Sequence, residues 1–107
     1  MYNWYKISSA VLQGMDENRP AEFMAGAKKI ALLKIADRVY AFAATCPHAG
    51  APMCDGWVNS LGRLVCPLHK YNFDPATGRN TTGEGYKLFT YPIEERNGEI
   101  FVGILAP

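Results

Sequence analysis

At 107 residues, with 49% apolar and 20% charged side chains, the chain has room for one domain (1–107) with a modest core. A net charge of +1 without any Lys/Arg cluster excludes the electrostatic footprint of a nucleic-acid-binding surface. No apolar run approaches the roughly 18 residues of a membrane-spanning helix, and the longest, near Ile30, is broken by Lys34. The start, MYNWYKISSA, lacks a basic segment followed by an apolar one, so no signal peptide is expected.

Residues 2–7 alternate large and polar side chains, the pattern of an opening strand with Trp4 on its core face. From 8 to 20 the chain reads as a connection, broken by Gly14, Asp16, Asn18 and Pro20, with at most a short helical turn at Val11-Leu12. Strands are predicted over 22–25 and 28–35, then a turn at Asp37-Arg38 and a strand over 39–43 that leads into Cys46. Trp57-Val58 and Leu64-Val65 flank a turn and form a small hairpin; 71–73 is a short strand ending in the turn Asp74-Pro75-Ala76-Thr77-Gly78. Residues 79–85 are polar and Gly-containing, a loop. Strands over 88–95 and 99–104 are joined through Arg96-Asn97-Gly98, and Asn-Gly between two such runs is a strong hairpin signal. Short strands without a convincing helix define an all-β sandwich or barrel, with Trp4, Phe23, Phe42, Phe89 and Phe101 expected in its core.

The chemistry-bearing stretch is 46–69. It opens Cys46-Pro47-His48 and closes Cys66-Pro67-Leu68-His69, two short pairs on separate loops that can converge on one metal. A Cys2His2 zinc site fits the donor types, although ordinary zinc spacing pairs Cys with Cys and His with His. A [2Fe–2S] cluster with both cysteines on one iron and both histidines on the other fits the mixed pairs. The remaining reading is loop cysteines and core histidines with no metal.

CPHAGAP…DG followed by CPLH…FD..TG resembles the signature of the Rieske iron–sulfur proteins, and most closely the small soluble Rieske-type ferredoxins. The resemblance implies Cys46 and Cys66 on an inner iron and His48 and His69 on an outer, exposed one. It also implies a β-sandwich base, or partly open barrel, built from both termini, with an inserted cluster-binding subdomain at about 44–76. Rieske subunits of respiratory and photosynthetic complexes are similar, but carry a transmembrane anchor and an extra cysteine pair bridging the loops. Here Leu68 stands at the second-loop cysteine position and Cys54 has no partner, so the soluble branch fits better. An odd thiol left over also points to a reducing cytoplasm.

In high-potential relatives a serine two places after the last histidine and a tyrosine four places after it donate hydrogen bonds to the cluster. Those positions hold Tyr71 and Phe73 here, which predicts a potential low in the Rieske range, on the order of −150 mV. Lys70 occupies a place that is usually glycine, and residues 81–87 stand where relatives place a Pro-rich shielding loop. Gly50, Pro52 and Leu68 on the two loops are the candidate partner-docking residues.

The chain has two histidines and the cluster would use both, leaving none for the mononuclear iron of a Rieske oxygenase. No catalytic residue is therefore expected. The implied role is one-electron transfer from a flavin-dependent reductase to a terminal oxygenase or similar redox enzyme. A small subunit of an assimilatory nitrite reductase and a zinc-stapled interaction domain are the alternatives.

Overall fold

The computed structural model describes residues 1–107 except His48, Ala49, His69, Glu84 and Pro107. Among these described residues, ten strands form three antiparallel sheets. The first joins β1 (Tyr2–Ile7), β10 (Glu99–Leu105) and β9 (Ile93–Arg96) in the order β1-β10-β9. The second has the order β2-β3-β4-β8, from β2 (Ala21–Ala25), β3 (Lys28–Ile35), β4 (Arg38–Ala43) and β8 (Thr90–Tyr91). The third is the small meander β5 (Trp57–Val58), β6 (Leu64–Val65) and β7 (Asn72–Phe73). The expected all-β architecture is present as open sheets, without closure into a barrel.

The second sheet is the middle layer, and β3 shows why. Ile30 and Leu32 point into one core with Ile7, Ala25, Ala41 and Val102, whereas Ala31 and Leu33 point into another with Phe42, Met53, Leu64, Phe73 and Leu88. A strand buried on both faces needs a continuous apolar run instead of an alternating one, and Ile30-Ala31-Leu32-Leu33 is that run. The first core fills the sandwich between the two larger sheets. The second lies between the middle sheet and the meander, and both cysteines of the motif belong to it.

The β9–β10 hairpin turns at Asn97-Gly98 with φ of 53° and 81°, the left-handed pair that a two-residue turn of this hand requires. Four expectations are corrected. Residues 8–20 include a six-residue helix, α1 (Ser9–Gly14), started by the Ser8 hydroxyl accepting from the Val11 N–H at 3.2 Å. The β3–β4 turn is Ala36-Asp37, since Ile35 pairs with Arg38. The single strand expected over 88–95 is split at Pro92, with β8 in the middle sheet and β9 in the outer one. Proline lacks the N–H that would continue the ladder, and the chain changes sheets there. Finally, Phe42 is core and Phe23 packs half-buried against the other core, with Ile30 and Leu32, but Trp4 and Phe101 lie on the outer face of the first sheet. Their rings flank the Arg96 guanidinium at 5.2 and 5.3 Å, and Phe89 is 60% exposed against Tyr91. Aromatic identity alone does not distinguish the two faces of a strand.

Among the described residues no helix is long and apolar enough to cross a membrane.

Candidate metal centre

Two loops built in the same way carry the two cysteines. After β4, Thr45 bridges to Pro52, the Cys46 N–H donates to the Ala51 carbonyl at 2.7 Å, and the Gly50 N–H returns to the Cys46 carbonyl at 2.9 Å. Gly50 takes φ +70°, a left-handed turn that glycine makes without penalty. After β6, the Cys66 N–H donates to the Tyr71 carbonyl at 2.9 Å, and Lys70 supplies the left-handed residue with φ +57°. In both loops the cysteine N–H reaches the carbonyl five residues on. The sheet contributes Cys66 directly, because β6 pairs with β5 on one side and β7 on the other.

The two thiols meet inside the second core. Cys46 is 2% exposed and Cys66 is fully buried, and the Cys46 side chain lies near enough to Cys66 to act on its proton. Met53, Leu64, Phe73 and Leu88 belong to the same buried cluster. Burial first, and then the hydrogen bond with Cys46, pushes the Cys66 thiol up to about 11; the Leu68 backbone N–H, donating to its sulfur, works the other way. Two thiolates could not both persist in this apolar site without a cation, whereas a metal binding both sulfurs would offset their desolvation. The donor set therefore fits the inner, thiolate-ligated iron of a mixed-ligand cluster. His48 and His69, the expected ligands of the other iron, lie outside the described residues.

The other singled-out positions fall into two groups. Phe73 is fully buried in the cysteine core, and Tyr71 packs against that core while its ring stacks on Tyr86 at a centroid distance of 6.0 Å. Gly50, Pro52, Lys70 and Leu68 (44% exposed) are on the surface of the two loops. Cys54 sits apart from the thiol pair: its S–H faces the carboxylates of Glu22 and Asp55, each at 3.9 Å. Sequence reasoning missed Met53, Leu64 and Leu88 as the apolar jacket of the thiols, and the Leu68 amide as a donor to Cys66. The jacket residues carry only their hydrophobicity as a signal, and a backbone N–H carries none.

Residues 3–92 match the Rieske [2Fe-2S] domain family. A ferredoxin component of naphthalene 1,2-dioxygenase/salicylate 5-hydroxylase systems from a Ralstonia species is 32% identical over 101 residues, covering 94% of each chain. The chain belongs to the Rieske [2Fe–2S] family, whose cofactor is one such cluster. The solved complex of reduced oxygenase and oxidized ferredoxin in carbazole 1,9a-dioxygenase is similar at 26% identity and TM-score 0.75, covering 92% of this chain and 91% of that one. A protein assigned as an NADH-dependent nitrite reductase small subunit from Mycobacterium tuberculosis shares the fold, with TM-score 0.83 over 100% and 99% of the chains, at 21% identity.

Proposed function

We propose that this chain is a one-electron carrier that passes electrons from a flavin-dependent reductase to a terminal oxygenase in the cytoplasm. In this reading Cys46 and Cys66 hold the inner iron, His48 and His69 the outer one, and residues 44–76 act as the cluster-binding subdomain. The observation that carries it is the burial of two thiols in one apolar cluster, on loops closed by the same backbone bond. When bound, the cluster supplies a centre that accepts and releases a single electron. The chain's part is to exclude water with Met53, Leu64, Phe73 and Leu88 and to hold the sulfurs in place through the Cys46 and Cys66 amides. The Leu68 N–H aimed at the Cys66 sulfur also stabilises negative charge there. Leu68, Gly50 and Pro52, exposed on the ligand loops, would meet the partner.

The test is EPR of the dithionite-reduced protein with iron and sulfide measured on the same sample. A rhombic signal of low average g with two irons and two sulfides per chain is the expected result. A colourless protein holding stoichiometric zinc would overturn the reading. The full-length fold match to the nitrite reductase subunit keeps that assignment as the second reading. A stable complex with a large reductase on co-purification would favour it.

A further inference from the structure

Beyond the second cysteine loop, residues 79–83 and 85–87 belong to an arm rooted in the meander. Asn80 bridges to Phe73, the Thr81 N–H donates to the Asn72 carbonyl at 2.9 Å, and the Asn72 N–H donates to the Thr82 hydroxyl at 3.3 Å. The arm returns through Tyr86, stacked on Tyr71, to Leu88, which is buried in the same core as the two cysteines. Its position relative to the cluster loops is therefore fixed at both ends.

Arg79 and Lys87 bridge each other across the arm, which sets two cations side by side on paired backbone. Like charges directly opposite in a ladder cost stability. Both are exposed, and among the described residues no carboxylate is within ion-pair range of either. They line a cleft of about 520 Å3 with Tyr86 and Asn80. Lys70, exposed and left-handed, immediately precedes the Tyr71 that stacks on Tyr86. The nearest described carboxylate in sequence, Asp74, is engaged in its own turn, accepting from the Ala76 N–H at 2.9 Å. Like charges held together at a cost to the fold, around a half-exposed tyrosine and next to the exposed Leu68, suit a partner of opposite charge.

We propose that Lys70, Arg79 and Lys87 form a cationic docking face that receives a carboxylate-rich surface of the protein with which this carrier exchanges electrons. The proposal rests on the electron-carrier reading and adds the chemistry of the partner. Carboxylates from the partner would relieve the Arg79–Lys87 repulsion on docking, so complex formation would be steered at low salt and weakened at high salt.

The test compares the intact, cluster-loaded protein with the double variant Arg79→Glu/Lys87→Glu, which keeps a like-charge pair in the bridge. A control, Lys28→Glu/Arg38→Glu, changes net charge equally at the first residues of β3 and β4, beside the β2–β3 and β3–β4 turns. Binding of fluorescein-labelled poly-L-glutamate is read by anisotropy at low ionic strength. Electron release is read by stopped flow with ferricyanide, which takes one electron from the reduced protein to become ferrocyanide, and with tris(phenanthroline)cobalt(III), which takes one to become cobalt(II). The ratio of the two rates cancels any change in driving force common to both oxidants. The arm variant is expected to lose about tenfold in poly-L-glutamate affinity and about tenfold in the ferricyanide-to-cobalt ratio, with the control within about twofold of the native protein. Equal losses in both variants would mean a net-charge effect and overturn the proposal. Loss of polymer binding with an unchanged rate ratio would place the face away from the electron exit, and also overturn it. Displacement of the polymer by low-millimolar inorganic phosphate would mean a small-anion pocket instead. A protein that takes up no cluster fails the carrier reading, while the anisotropy arm still reads the face.

Discussion

The Cys66 N–H donates to the Tyr71 carbonyl at 2.9 Å, and this bond closes the second cysteine loop without help from a metal. Cys46 and Ala51 close the first loop in the same way, so the metal-free protein is expected to keep both loops and hold the two thiols together. Protonation then links to stability. Cys66 is raised above the ordinary thiol value of 9.0 to about 11, so the folded state holds its proton where the unfolded chain has lost it. The contribution is fully present below pH 9 and is lost as pH rises towards 11. Urea unfolding of the metal-free protein should show its midpoint falling over that interval more steeply in the native chain than in Cys66→Ser, which lacks the thiol. Equal slopes would show that the Cys66 proton is not retained on folding.

Phe73 fills a position against the thiols that has no hydroxyl to offer. With fewer donors to stabilise added negative charge, the reduction potential is expected near the bottom of the Rieske range, on the order of −150 mV. Phe73→Tyr should raise it by roughly 65–130 mV if the new hydroxyl reaches a sulfur, the equivalent of one hydrogen bond to a charged group for a one-electron couple. A redox titration of the native protein landing well above zero would contradict this account. So would a Phe73→Tyr variant whose potential falls.

Cys54 is expected to be a slow thiol. Burial is the main reason its pKa is raised, and the neighbouring Asp55 and Glu22 carboxylates push in the same direction. A raised pKa lowers the thiolate fraction at neutral pH, and the thiolate is the reacting form. In the loaded protein, alkylation by iodoacetamide at pH 8 should run slower than for a small free thiol. Asp55→Asn should speed it, and Cys54→Ser should leave the EPR signal unchanged. A change in the signal would tie Cys54 to the cluster.

How much of this was legible in the residues depends on whether a local pattern encodes it. The β3 run Ile30-Ala31-Leu32-Leu33 and the Asn97-Gly98 turn are local, and both elements fall where periodicity and turn chemistry put them. The Cys46 and Cys66 pairs are also local, and the fold brings their sulfurs together. What escaped depends on the other side of the sheet. Trp4 faces outward because Tyr5 and Ile7 take the core side of β1, a choice that the alternation alone leaves open. The split at Pro92 required knowing that β8 and β9 belong to different sheets. The Arg79–Lys87 bridge joins residues whose intervening stretch reads simply as loop.

Gly78 is the most constrained glycine near the cysteine core, and Gly83, in the arm that follows it, is its natural control. Gly78 takes φ +77°, and a β-carbon there would overlap the Leu88 carbonyl oxygen and press on the Thr90 methyl at 3.2 Å. The Leu88 N–H donates to the Gly78 carbonyl at 2.8 Å, so Leu88 cannot move away without loosening the core that holds Cys46 and Cys66. Gly83 takes φ +87°, but a β-carbon there meets nothing within 4 Å. Gly83→Ala should therefore cost only the left-handed backbone term, about 1–2 kcal/mol. Gly78→Ala adds a steric clash with backbone and should cost about 3 kcal/mol or more. Urea unfolding of the cluster-loaded proteins measures the difference, and the EPR linewidth reports whether the thiol core is disturbed. Similar midpoints for the two variants would mean that the arm pivots at Gly78 without Leu88, and that the core does not anchor it.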